Sequence, residues 1–129
     1  MSILLICLFI ATVMPILAKA PLAMAQNKQQ GGYDNRNPRE QQAALSGFGA
    51  RAKAAHENCF EALVMFVPGL MAVIATGNTG QTPQTLAITF VVARLLYLGA
   101  YYVDQHVIRT LFWFVGFVSS LALIWIAIP

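Results

Sequence analysis

Four apolar blocks, at about residues 3–25, 59–76, 86–103 and 110–128, decide which solvent this chain can fold in. Each is close to the roughly 20 residues that carry a helix across a bilayer. Hydrophobic residues make up 58% of the 129 positions and charged residues only 10%, where a soluble domain carries about 25% charged. The apolar residues are gathered in blocks and do not alternate at the spacing of a half-buried surface. Residues 1–129 therefore read as one all-α membrane domain, a four-helix transmembrane bundle.

The net charge of +3 would suit nucleic acid, but the basic residues have a topological explanation. Lys19, Lys28, Arg36, Arg39, Arg51 and Lys53 all lie at the end of the first block or before the second, and Arg109 lies between the third and fourth. The turn between blocks two and three, residues 77–84, carries no charge. Basic loops stay on the cytoplasmic side, so both termini are expected outside and the first and third loops in the cytoplasm. No nucleic-acid partner is expected; membrane lipid is.

Local signals fill in the path. Ala18-Lys19-Ala20 and Ala23-Met24-Ala25 look like small-residue cleavage sites. No basic residue precedes the first apolar run, however, so that block is expected to stay as a span. Pro15 and Pro21 would bend it. Residues 26–42 read as a solvated connector with turns at Gly31-Gly32 and Asn37-Pro38. From Ala43 an Ala-rich helix is expected to run unbroken into the second span, with a kink at Pro68-Gly69. The connector 104–109 is short, so spans three and four should be antiparallel neighbours. Trp113 and Trp125 are expected as interface anchors, and Ser119 and Ser120 to bond their own helix backbone. Cys7 and Cys59 are expected near opposite membrane faces and so unpaired. His56 and His106 lack a third ligand at any usual metal spacing, so no metal site is expected.

Polar groups at the mouth of a membrane helix are costly and usually have partners or a task. At about 100° per residue, Arg51, Asn58 and Glu61 share one face of the second span, while Lys53 and His56 point away. In the third span Arg94, Tyr97 and Tyr101 share a face, and Asp104 would join them after one more turn. Both spans enter from the same side. At about 1.5 Å per residue, Glu61 and Tyr101 lie one turn below the surface and Arg94 about 15 Å deep. The groups describe a funnel with Arg51 and Arg109 at its rim, suited to a small zwitterion or polyanion. Guanidinium forks hold carboxylates, Glu61 can take an ammonium, and a guanidinium beside a thiol favours its thiolate. A structural network with Arg94 paired to Glu61 fits the same residues.

The run Ala55 to Glu61, AHENCFE, ahead of an apolar span resembles the A-(H/Q)-x-N-x-x-E signature of the MAPEG family, the membrane-associated proteins of eicosanoid and glutathione metabolism. Arg94, Tyr97 and Tyr101 resemble that family's R-x-x-Y-x-x-x-Y run, and the loop YDNRNPRE is similar to that of bacterial members. The resemblance covers essentially the whole chain. It implies a homotrimer with glutathione as co-substrate, bound between protomers near the cytoplasmic face of a bacterial inner membrane. It implies glutathione contacts from Arg51, Asn58, Glu61, Arg94, Tyr97 and Tyr101, and a catalytic role for Arg109. The implied activity is transfer to, or peroxidase action on, lipophilic small molecules by thiolate stabilisation. Two departures stand out: Ala54 occupies the family's usual arginine position, and Arg109 sits about one residue off its expected offset from the tyrosines.

Overall fold

The computed structural model describes all residues 1–129 and is helical throughout, with no strands. Four long helices, α1 (Ser2–Asn27), α3 (Phe48–Ala75), α4 (Gln81–Tyr102) and α5 (His106–Trp125), are each long and apolar enough to cross a membrane. A fifth and short one, α2 (Pro38–Ala43), lies in the first loop.

The breaks between helices follow the backbone. Gly31, Gly32, Gly47 and Gly77 all have positive φ, as does Asp104 at 60°. A left-handed residue cannot continue a right-handed helix. The unbroken helix expected from Ala43 is therefore corrected: α2 ends at Ala43, Gly47 at φ 57° turns the chain, and α3 starts at Phe48. Alanine-rich composition favoured helix on both sides of the break, and Gly47, the N-cap residue of α3, sets where the second helix starts. Asp104 likewise lies past the end of α4 and does not extend its polar face. α4 itself starts at Gln81, earlier than the apolar block, since Pro83 falls in the first turn where a missing N–H leaves no bond unmade. α1 runs through Pro15 and Pro21, and α3 through Pro68.

The core is stacked along the bundle axis. At one end Leu4 and Cys7 of α1 meet Phe66 and Val73 of α3, Phe90 of α4 and Leu123 of α5. There the rings of Phe66 and Phe90 lie parallel with centroids 3.9 Å apart. A second cluster joins Met14, Ala18, Ala55, Cys59, Tyr97 and Leu98. The third, Leu22, Ala25, Leu45 and Ala52, closes the end formed by the first and third loops. Small residues bring backbones together, as membrane bundles require. A Cβ on Gly69 would come within 2.8 Å of the Ser120 carbonyl oxygen, so α3 and α5 touch there. The hydroxyls of Ser119 and Ser120 donate to the carbonyls of Val115 and Gly116, as expected. Large apolar side chains such as Phe9, Leu17, Val64 and Val118 face outward, which suits a lipid surround.

The first loop is more than a solvated connector. Gln26 is fully buried, and its amide nitrogen donates to the Pro38 carbonyl and to Gln41 Oε1. Its own Oε1 accepts from Lys19 Nζ and Gln42 Nε2. Gln41 Nε2 in turn donates to the carbonyls of Gly32 and Gln26. Residues 26–42 are thereby strapped to the end of α1.

Candidate functional site

At this looped end, α3 and α4 present the polar faces that their periodicity predicts, and the side chains meet. Arg94 Nη2 donates to Asn58 Oδ1 at 2.7 Å. Asn58 Nδ2 then donates to Glu61 Oε2 at 2.9 Å, one helical turn along α3. Asn58 thus uses its amide in both directions, linking a guanidinium on one helix to a carboxylate on the other. The direct Arg94–Glu61 pair of the structural alternative is replaced by this relay.

Arg94 is only 2% exposed, which for a guanidinium in a membrane helix demands compensation. Part comes from Asn58 and part from Tyr97, whose ring centroid is 4.0 Å from Arg94 Cζ. A desolvated cation–π contact contributes about 2 kcal/mol, comparable to the roughly 2.5–3.5 kcal/mol that insertion scales assign to a mid-membrane arginine. The Nε of Arg94 has no partner within the chain.

The row continues toward the loops. The Tyr97 and Tyr101 rings meet edge to face at 5.6 Å, and Arg109 Cζ lies 4.2 Å from the Tyr101 centroid. Arg109 sits in the first turn of α5, across the turn containing Asp104. Its one-residue sequence offset does not keep it away from Tyr101, because the left-handed turn folds α5 back over the end of α4. Glu61, Asn58, Arg94, Tyr97, Tyr101 and Arg109 therefore form one continuous row over three helices.

Arg51 does not join that row. It lies two turns before Asn58 on α3, at 4.0 Å from Asp104 Oδ2, over the face of Phe48. Its Nε is buried and unpartnered. Lys53 and His56 point the other way, as the helical period requires. Lys53 pairs with Glu57 at 2.7 Å, and a ring nitrogen of His56 lies 2.9 Å from the Pro15 carbonyl oxygen, bracing α3 against α1. With Lys19, Arg39 and Phe60 they line a basin of about 470 Å³ beside α3.

Beside Arg94 a crevice of about 20 Å³ runs between α3, α4 and α5, walled by Ala62, Phe90, Trp113, Gly116 and Phe117. Trp113 and Phe117 are stacked, with centroids 5.2 Å apart. Periodicity did not point to the Arg109–Tyr101 contact or to the Gln26 strap, since both cross turns; an isolated buried-type glutamine ending an apolar helix was the one available signal for the latter.

The family model of the MAPEG family matches residues 3–129, essentially the whole chain. No curated protein and no solved structure gives a match.

Proposed function

Because the chain belongs to the MAPEG family, we propose that this multi-pass integral membrane protein is a glutathione-dependent transferase or peroxidase acting on lipophilic electrophiles. Glutathione is the co-substrate, held between neighbouring protomers of a homotrimer on the cytoplasmic side of a bacterial inner membrane. The observation that carries this reading is the unbroken row from Glu61 through Asn58, Arg94, Tyr97 and Tyr101 to Arg109.

Glutathione offers an ammonium, two carboxylates and a thiol. The Glu61 carboxylate is exposed and suits the ammonium, with Asn58 holding it from behind and Arg94 holding Asn58. Arg51, at the rim, suits a carboxylate. Tyr97 and Tyr101 supply hydroxyls. Arg109, half-buried at the top of the row, stabilises the thiolate, and the thiol proton leaves to water. In the transferase reaction the thiolate forms a carbon–sulfur bond and displaces the electrophile's leaving group. With a hydroperoxide it takes the distal oxygen, giving an alcohol and a glutathione sulfenic acid, which a second glutathione converts to disulfide and water.

A homotrimer is supported by the two faces of α3. An exposed carboxylate such as Glu61 within a membrane span is expensive against lipid. The basin lined by Lys19, Arg39, Lys53 and His56, in which Glu57 offsets Lys53 but leaves an excess of positive charge, is its electrostatic complement. Opposite charges on two different faces suit a closed ring of head-to-tail contacts.

The test is a glutathione titration of the purified protein in detergent, following thiolate absorbance in the ultraviolet. A saturable signal is expected, reduced about 10²–10³-fold in amplitude or turnover in Arg109→Ala. If no saturable signal forms, and Arg94→Ala and Glu61→Ala only lower the melting temperature, the row is a structural network and the enzymatic reading falls.

A further inference from the structure

The two guanidinium groups of the row are held differently. Arg94 is fixed twice: Asn58 takes an edge nitrogen and Tyr97 covers a face. Arg109 has the ring alone. The ion pairs of the protein are Arg51 with Asp104 and Lys53 with Glu57, and neither they nor any side-chain hydrogen bond engages Arg109. Its Cζ nevertheless sits 4.2 Å from the Tyr101 centroid, at the distance of a stacked cation.

From this contrast we infer that Tyr101 is a positioning residue for Arg109, acting on it through the face of its ring, a role separate from the contact its hydroxyl offers to glutathione. The inference rests on the thiolate role proposed for Arg109 and deepens it. A planar guanidinium laid on a ring keeps its N–H edge free. An arginine bonded to a carboxylate would instead spend that edge on the carboxylate. The neighbouring acid, Asp104, is turned to Arg51 and so does not compete. Tyr97 meets the Tyr101 ring edge to face, which holds the platform upright between the two cations. Arg109 is thereby kept both oriented and unoccupied, the state a thiolate-stabilising cation needs.

The experiment compares the full-length protein with Tyr101→Phe, Tyr101→Leu, Arg109→Ala and the Tyr101→Leu/Arg109→Ala double variant. Thiolate absorbance per bound glutathione is read at saturation, with affinity measured separately by calorimetry and assembly by size exclusion. Tyr101→Phe keeps the ring and should match the parent in thiolate per bound glutathione, with the loss of the hydroxyl contact showing only in the calorimetric affinity. Tyr101→Leu should lower the thiolate fraction by about 3- to 30-fold, the range a cation–π contact of this kind can bias an equilibrium. The double variant should equal Arg109→Ala, because the ring acts only through that residue. Should Tyr101→Leu fail to assemble, Tyr101→Met is read in its place.

The inference is overturned if Tyr101→Phe falls as far as the leucine variant, if the leucine variant keeps the parental signal, or if the Tyr101 and Arg109 effects multiply. A parent that forms no thiolate overturns the proposed function and this inference together. A parent that forms it with no response in the leucine variant overturns the inference alone.

Discussion

Helices α3 and α4 meet twice along the bundle, and the two meetings use opposite chemistry. Toward the α3–α4 turn, Phe66 and Phe90 stack at 3.9 Å in a fully apolar layer. Toward the loops, Asn58 and Arg94 join at 2.7 Å, with an unpartnered Nε left on the arginine. Two turns of α3 separate Phe66 from Asn58, and one turn of α4 separates Phe90 from Arg94. The apolar meeting is complete in itself. The polar one leaves a carboxylate exposed and donor groups unused. Apolar packing is concentrated in one half of the helix pair and polar contact in the other.

That division can be broken by experiment. The largest effect should come from Phe66→Ala, which removes a fully buried ring and should destabilise by about 3–5 kcal/mol. Glutathione affinity, measured below the melting temperature, should be unchanged; a parallel loss of affinity would show the halves to be coupled. Arg94→Ala should do the reverse. Affinity should fall by about 10- to 100-fold, the scale of a lost charged hydrogen bond, while the proposed trimer persists. Unchanged binding would remove Arg94 from the site.

Gly69→Ala sharpens the comparison from a third helix. Its added carbon would lie 2.8 Å from the Ser120 carbonyl oxygen, so α3 and α5 must separate. A loss of about 1–3 kcal/mol in thermal or denaturant unfolding is expected, with affinity again preserved. The smallest effect belongs to Lys53→Ala. Its pair with Glu57 is partly exposed, and such i,i+4 pairs contribute about 0.3–0.5 kcal/mol. That is the effect within one protomer; the proposed trimer adds a further loss in the assembled protein, and its absence would remove Lys53 from the contact between protomers.

The bundle was legible because the bilayer imposes a length and a hydropathy that a chain cannot disguise. The facing of Asn58 and Arg94 was legible because a 3.6-residue period carries through both helices. What escaped lies where that period stops. Gly47, at φ 57°, stands at the start of α3 and parts two helices that their alanine-rich sequence would have joined. Asp104 adopts a left-handed turn uncommon for a residue with a side chain, and that turn returns Arg109 to Tyr101. Neither consequence can be counted along a helical wheel. The role of Asn58 as a link between Arg94 and Glu61, where a direct pair fitted equally well, depends on two hydrogen bonds made at once.

The glutamine strap has a mechanical consequence. A segment rich in Gln, Asn and Gly would ordinarily serve as a slack tether, letting the first membrane helix slide or tilt on its own. Clamped by Gln26 and Gln41, it is held against the end of α1, and Leu45, clustered with Leu22 of α1 and Ala52 of α3, carries that hold to α3. Any change in bilayer thickness would then be felt by both helices as one body, and the mouth of the cleft would keep its depth while the surrounding lipid adjusts.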